Sequence, residues 1–308
     1  MLREPRMGLR SFARGLFKGR DPFDQMDDQA FVDLAYRFLL GRAPDEHGKR
    51  HFLSRLAKRA ISRDLFLHAL IDSQEFARSR LHSELGTSIH ESRSRFVKGL
   101  PRARRVVDLG GSCQASRRGA MVELGYPYEF DLLTIVDLPD RERHELYRSD
   151  SGQETETVRT DRGPVEYLYQ SMTTLRPIAD QSVDLVYSGQ SIEHVTRADA
   201  GIVCGEVLRV LKPGAVFALD TPNARVTRLQ QDAFIDPDHK YEYTHRELSQ
   251  DLRAAGFEIL EARGMNYAGP IATRAEFSAS TVAGNCGLYA EIEDCYILAY
   301  VCRKPPSP

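Results

Sequence analysis

The chain has few cysteines and no pair of them at metal-binding spacing. Its 308 residues include five cysteines, an odd number, and no Cys-x-x-Cys motif. A disulfide framework uses cysteines in pairs and a zinc knuckle needs closely spaced ones, so the sequence disfavours both. The pattern is typical of reduced thiols, and we expect a cytoplasmic protein.

Long apolar runs and an excess of one charge are also absent. No apolar run approaches the ~20 residues that a membrane-spanning helix needs. The first residues are basic but have no continuous apolar core and no small-residue cleavage site, so they do not predict a secretory signal. The formal net charge is −2 and the pI is near 6.5, a balance that argues against nucleic-acid binding.

The chain is long enough for two domains of about 150 residues each, and 42% of its residues are hydrophobic. The pattern along the chain predicts four parts. They are a basic tail or amphipathic helix (1–24), a helical module (25–82), a connecting helix (83–103) and a larger α/β domain (104–304).

Basic residues recur at every fourth position of the first part, at Arg6, Arg10, Arg14 and Lys18. A helix here would be basic on one side and largely apolar on the other. Such a helix lies on anionic membranes or docks on a partner, and a solvated disordered tail is the alternative.

The helical module shows apolar residues at i, i+3 and i+4 spacing, at Phe31, Leu34, Ala35, Phe38 and Leu39. A break at 41–45 and an N-cap at Ser73 divide it into several helices. The stretches FVDLAYRFLLGRAPDEHG and IDSQEFARS resemble a bacterial helical domain of unknown function that recurs in cell-surface and glycan-assembly proteins. The resemblance implies an association with surface polysaccharide.

From residue 104 strands and helices alternate, which predicts a parallel sheet with helices on both faces. We predict strands at 105–109, 132–137, 165–169, 183–188, 215–220, 257–262 and 296–303. The first strand runs into an Asp-Leu-Gly-Gly-Ser turn, after which we expect a helix. Such a turn is typical of a site where the backbone closely approaches a nucleotide-type cofactor. The second strand ends in Asp137, which can accept hydrogen bonds from ribose hydroxyls, or is a surface acid or helix cap.

Later motifs follow in a fixed order. They are DQSVDLVYSGQSIEHV (180–195), LRVLKPGAVFALDTPN (208–223) and DPDHKYEYTHRELSQDLRAAGFEIL (236–260). The second predicts a helix that ends at 212–214, and the third a capping box from Thr244 to Glu247. With the turn and Asp137, this set resembles the class I S-adenosylmethionine-dependent methyltransferases of the type-11 group over about residues 90–303. The resemblance implies a Rossmann-like, seven-stranded sheet whose last strand is antiparallel, and S-adenosylmethionine as cofactor.

The resemblance also implies a set of cofactor-binding residues. Those at the methionine part are Asp108, Gly110, Gly111 and Ser112; at the ribose, Asp137; at the adenine, Ser171 and Met172; and at the sulfonium and substrate, Ser188, Gly189 and Gln190. Two positions depart from the family. Ser112 replaces a glycine. Ser171 and Met172 stand where an acid usually lies beside the adenine, and the hydrogen bond missing there is worth about 1 kcal/mol of cofactor binding.

Methyl transfer is an in-line displacement, so positioning is much of the protein's task, but a hydroxyl acceptor also needs a base or a metal. His239 and His194 fall where the fold places the substrate, and histidine suits the base role. His239 is assigned as base or substrate contact, and His194 as catalytic or structural. Gln190 stands where a second acid would be wanted beside Glu193 and His194, so we predict no metal.

The first functional hypothesis is O-methylation of a sugar or glycan intermediate in surface polysaccharide assembly. The alternatives are a non-catalytic interaction protein with a degenerate methyltransferase domain, and a methyltransferase with an amine, lipid-linked or other small-molecule acceptor. We expect no nucleic-acid partner. Residues 1–20 and the helical module are the expected contacts for a membrane surface or a partner protein.

Overall fold

The computed structural model describes residues 26–113, 116–144 and 157–306. The basic segment 1–20 lies outside them, so both interpretations of the tail stay predictions. Residues 145–156, between the second and third predicted strands, also lie outside the described ranges. The chain divides into two compact units, Met1–Ser83 and Glu84–Pro308. None of the described helices combines the length and the apolar character needed to cross a membrane.

The first unit contains the helices α1 (Asp28–Leu40), α2 (Glu46–Ala57) and α3 (Arg63–Ile71). Each begins at a residue whose side chain accepts a backbone N–H, namely Asp27, Asp45 and Ser62. Part of the predicted apolar stripe on α1 was wrong, because Leu34 and Phe38 are 40% and 75% exposed. Val32 and Tyr36 are buried instead, so the buried face of the helix includes these residues and lies to one side of the predicted stripe.

Helix α4 (Gln74–Lys98) runs from the first unit into the second. Ser73 caps it as predicted, since its Oγ accepts a hydrogen bond from the Phe76 N–H at 3.1 Å. The predicted connecting helix at 83–103 is therefore the last part of a longer helix, which ends before Gly99 and Pro101 because proline cannot continue it.

The second unit is built on one sheet in the order β3-β4-β2-β1-β5-β6-β9-β7-β8. The strands are β1 (Arg105–Leu109), β2 (Leu132–Asp137), β3 (Val158–Arg159), β4 (Pro164–Tyr169), β5 (Val183–Gly189), β6 (Leu211–Pro222), β7 (Glu258–Tyr267), β8 (Leu288–Tyr289) and β9 (Cys295–Arg303). The fold class is confirmed, and β9 is antiparallel to both neighbours as expected. The predicted number of seven strands was wrong, because β3 and β8 add two-residue edges that are too short to show a periodic pattern.

The sheet is covered on both faces. Val106 and Val107 belong to two separate hydrophobic clusters, as alternate side chains of a strand must when both faces are buried. Helix α4 packs on the cluster of Val106, and α6 (Arg197–Val210) on that of Val107.

The remaining helices are α5 (Ala120–Glu123), α7 (Ala224–Gln230), α8 (His245–Ala255) and α9 (Ala279–Gly284). The helix expected after the glycine turn is reduced to the four residues of α5. The predicted helix end at 212–214 was wrong, because α6 ends at Val210 and those residues begin β6. The capping box between Thr244 and Glu247 is confirmed.

Strand register brings three loops to one edge of the sheet. Leu109 lies opposite both Val136 of β2 and Ser188 of β5, and Gly189 lies opposite Asp220 of β6. The chain crosses from one side of β1 to the other at this point, which is where open α/β sheets bind ligands. The loops after β1, β2 and β5 therefore meet.

Candidate active site

The turn after β1 is packed too closely for side chains at its glycines. Gly110 has φ +71°, and a Cβ there would lie 2.6 Å from Ser191 Cβ. A Cβ on Gly111 would lie 2.2 Å from the carboxyl carbon of Asp108. Both positions therefore require glycine.

Asp108 lies under this turn. It is 1% exposed, and its Oδ2 accepts a hydrogen bond from the Met121 N–H at 3.1 Å. Burial raises the pKa of Asp108 to about 7, although the Met121 N–H acts in the opposite direction. The structure thus gives this carboxyl a part in shaping the turn, in addition to the place beside the cofactor that the sequence predicts.

Asp137 and Ser112 are brought together at the ends of β2 and β1. The Ser112 N–H donates to Asp137 Oδ2 at 3.2 Å, and the Leu138 N–H donates to Oδ1 at 2.7 Å. Arg143, which the sequence did not single out, donates to Ser112 Oγ at 3.1 Å and lies 3.4 Å from Asp137 Oδ1. The predicted ribose carboxylate is therefore already in contact with a cation.

Ser171 and Met172 follow the neighbouring strand β4. The Gln170 N–H donates to the backbone oxygen of Asp137 at 2.8 Å, which fixes this loop beside Asp137. Ser171 Oγ accepts from the Thr173 N–H at 3.2 Å, and Met172 packs half-buried against the hydrophobic cluster of Val107. Both residues thus lie one strand away from Asp137.

The loop after β5 rests on a buried polar network. Gln190 has φ +53° and its Nε2 donates to Asp220 Oδ1 at 2.9 Å. Arg93 Nε donates to the same oxygen at 2.8 Å, and the Tyr187 hydroxyl donates to the other at 2.5 Å. A Cβ on Gly189 would lie 2.4 Å from that hydroxyl.

This network holds a charge pair inside the fold. Burial disfavours the charge on Arg93, but Asp220 and Tyr187 outweigh it and raise the pKa of Arg93. Burial also raises the pKa of Tyr187 well above its ordinary value. Arg93 lies 127 residues from Asp220 in the sequence, so no local spacing could have indicated the pair.

The two histidines predicted as catalytic lie side by side. His194 ends the 3₁₀ turn Ile192–His194 after β5, and its ring centroid is 4.9 Å from that of His239. His194 Nδ1 is 3.1 Å from Asp238 Oδ2, and His239 Nδ1 is 2.8 Å from Glu242 Oε1. Each ring therefore has a carboxylate partner, neither of which the sequence identified.

Glu193 is the third member of this cluster and is fully buried. Its Oε2 accepts a hydrogen bond from Thr221 Oγ1 at 2.9 Å. Its Oε1 has no hydrogen-bond partner among the described residues and lies 4.0 Å from His239 Nε2. The N–H groups of Lys240 and Tyr241 donate to the backbone oxygen of Glu193, which holds the His239 loop against it.

The pKa values of the three groups in this cluster are shifted in different directions. Burial raises the pKa of Glu193 to about 7, against the charge of His239. Burial tends to lower the pKa of His239, but the hydrogen bond with Glu242 and the charge of Glu193 raise it overall. Burial and His239 together lower the pKa of His194. Groups poised in this way are typical of acid–base sites.

Models of known protein families match parts of the helical module and of the second unit. A family model described as a methyltransferase domain matches residues 134–219, and a model described as a domain of unknown function (DUF4214) matches residues 19–80. The chain carries a methyltransferase domain. The methyltransferase match begins within β2, so the turn at Asp108 and Ser112 lies outside it.

One curated relative is a Mycolicibacterium smegmatis protein named "Probable S-adenosylmethionine-dependent methyltransferase". It is 36% identical over 96 residues, which cover 31% of this chain and 37% of the relative. The aligned part thus spans little more than a third of the relative's length.

Two solved structures are similar in fold. An S-adenosylmethionine-dependent methyltransferase from Archaeoglobus fulgidus is 17% identical, with 82% of this chain and 99% of that one covered and a TM-score of 0.46. One from Mesorhizobium loti is 19% identical, with 68% and 96% covered and a TM-score of 0.41.

Proposed function

We propose that the chain is an S-adenosylmethionine-dependent methyltransferase that methylates a hydroxyl of a sugar or glycan intermediate in cell-surface polysaccharide assembly. The assignment to this class of enzyme rests on three loops that meet at one edge of the sheet. They contain the glycine turn after β1, Asp137 after β2 and Gln190 after β5. The name of the Mycolicibacterium smegmatis relative supports the choice of cofactor.

The donor set at this edge fits a nucleoside cofactor. Asp137 is a partly exposed carboxylate at the end of the second parallel strand, the position from which an acid reaches ribose hydroxyls. Gly110, Gly111 and Ser112 present backbone to the methionine part, while Ser171 and Met172 border the adenine. Gly189 and Gln190 would face the reacting end, and Ser188, which is fully buried and paired with Ser191, would hold that loop in place.

When bound, the cofactor supplies a methyl group on a sulfonium, which is a strong leaving group. Transfer would form the acceptor O–CH₃ bond as the S–CH₃ bond breaks, with S-adenosylhomocysteine as the second product. The acceptor must lose its hydroxyl proton. His239 can take it at Nε2, because its Nδ1 is oriented by Glu242 in the manner of a histidine base held by a carboxylate.

The hydroxyl acceptor and the glycan are supported by different features. A base such as His239 is needed for a hydroxyl and not for an amine, so the histidine cluster favours O-methylation. The proposal of a glycan as acceptor rests on the presence of the DUF4214 domain, which is an association and not a feature of the site. In this proposal the helical module and residues 1–20 contact the acceptor's carrier, a partner protein or a membrane surface.

One group of observations favours a second function, that of a non-catalytic interaction protein. Asp137 is in contact with Arg143, Ser112 replaces a glycine, and the methyltransferase match begins after the turn. In that case the domain has kept its fold and lost its cofactor.

Labelled methyl transfer to paired hydroxyl and amine acceptors tests the proposal. His239→Ala should slow transfer to the hydroxyl at least 100-fold, the usual contribution of a general base, and leave an amine acceptor nearly unaffected. His90→Ala, at an exposed position of α4, is the matched control. Transfer to the amine alone would refute the acceptor, and no transfer to either would favour the non-catalytic protein.

A further inference from the structure

We propose that Glu193, His194 and His239 bind a divalent transition-metal cation. Each of the three offers one ligand atom, and these atoms lie within 4.8 Å of one another. The sequence predicted no metal because Gln190 stands where a second acid would be wanted, which leaves Glu193 and His194 without a third donor. The fold supplies that donor by placing the His239 loop against them.

An unsatisfied oxygen points into this cluster. Glu193 is fully buried, and its Oε1 is without a hydrogen-bond partner in the part of the chain that the structure describes. A buried carboxylate oxygen left unpaired is unfavourable, and native folds rarely keep one without a reason. A cation between Oε1 and His239 Nε2, now 4.0 Å apart, would satisfy it.

Each proposed ligand is also held by a second group. The Nδ1 atoms of His239 and His194 contact Glu242 and Asp238, an arrangement typical of metal-bound histidines. Glu193 Oε2 is fixed by Thr221 Oγ1. Glu242 is itself held, because it accepts from the Ile235 N–H at 2.9 Å. Three donors held in this way are already oriented toward one another, and coordination would require them to move closer together.

The ligand types indicate the class of cation. Two imidazoles and one carboxylate suit zinc, cobalt, manganese or iron better than magnesium or calcium, which favour oxygen ligands. Three protein ligands also leave positions open, as catalytic sites do. The role of the cation rests on the proposed O-methylation and replaces its proton transfer to His239. The cation would bind the acceptor hydroxyl and lower its pKa, so that the proton leaves to water and His239 serves as a ligand instead of a base.

Cobalt titration of the full-length, metal-free chain without cofactor tests the site. Visible absorption should show one Co²⁺ per chain, without the intense thiolate band that cysteine coordination would give. Glu193→Gln and His239→Gln should each weaken Co²⁺ binding at least 10-fold, and Glu242→Gln should weaken it by less. His90→Gln, at an exposed histidine, should leave it unchanged.

The proposal is overturned if Co²⁺ and Zn²⁺ do not bind one to one, or if the ligand variants bind as the wild type does. Thermal unfolding by circular dichroism checks each variant, and if Glu193→Gln does not fold, His239→Gln and Glu242→Gln carry the test. Cofactor binding is measured separately. Metal binding without methyl transfer would therefore refute the proposed function alone, and methyl transfer by a chain that binds no metal would refute this inference alone.

Discussion

The guanidinium of Arg143 lies 3.4 Å from the carboxylate of Asp137, the residue that we assign to the cofactor ribose. Both side chains are largely shielded, at 13% and 18% exposure, so solvent weakens their attraction only in part. The same guanidinium donates to Ser112 in the glycine turn. Arg143 therefore links the residues that follow β1 and end β2.

We predict that Arg143→Gln tightens S-adenosylmethionine binding about 3- to 10-fold. The cation competes for the carboxylate lone pairs that ribose hydroxyls need, and a partly exposed ion pair is worth about 1 kcal/mol. Isothermal titration calorimetry measures the change. Arg141→Gln is the control, because Arg141 is exposed and pairs with Glu142. Weaker binding in Arg143→Gln would show that Arg143 holds Asp137 in place for the cofactor.

Gly111→Ala should abolish cofactor binding and destabilise the second unit by about 1–3 kcal/mol. The added methyl group would overlap the Asp108 carboxyl and push the turn outward. Gly201→Ala is the control, because nothing lies within 4 Å of a Cβ at this helical position. It should be neutral or stabilise by up to about 1 kcal/mol. Urea unfolding compares the two variants, and equal stability would contradict the packing of the turn.

Unfolding of the wild type should depend on pH through Asp108. Its folded-state pKa is raised to about 7, from 3.8, so between these values the folded state holds a proton that the unfolded state has released. Stability contributed by this group is therefore lost as pH rises through that window, by up to about 1.4 kcal/mol per pH unit. Asp108→Asn should flatten the slope in urea unfolding from pH 4 to 7. An unchanged slope would mean that other groups cause it.

Arg93→Met should destabilise the second unit by about 3–5 kcal/mol, because it leaves Asp220 buried without its cation. Arg95→Met, on the same helix, removes only an exposed pair with Glu91 and should change little. The double change Arg93→Met with Asp220→Leu should recover much of the loss. If Arg93→Met alone is neutral in denaturant unfolding, the pair does not support the loop after β5.

The sheet was largely predictable from the sequence. Val106 and Val107, like the apolar runs of β2 and β5, mark buried strands by local pattern, and parallel strands bring their ends to one edge. The meeting of Ser112 with Asp137 follows from this rule. The edge strands β3 and β8 could not be predicted, because two residues carry no period.

The partners of the site residues could not be predicted from the sequence, for a different reason. Arg93 reaches Asp220 from helix α4, and only the folded chain brings them together. Glu242 lies three residues from His239 in a loop with several acids, and the sequence does not show which one faces the ring. Long-range contacts and loop conformations thus decide the chemistry, while local periodicity decides the scaffold.

Isothermal titration with S-adenosylmethionine, on the wild type and on Asp137→Ala, measures directly whether the chain binds the proposed cofactor and whether Asp137 contributes. We expect one cofactor per chain. We also expect Asp137→Ala to weaken binding about 10- to 100-fold, because charged hydrogen bonds worth about 1.5–3 kcal/mol are lost. Absence of binding to the wild type at millimolar cofactor, or equal affinity of the two proteins, would contradict these expectations.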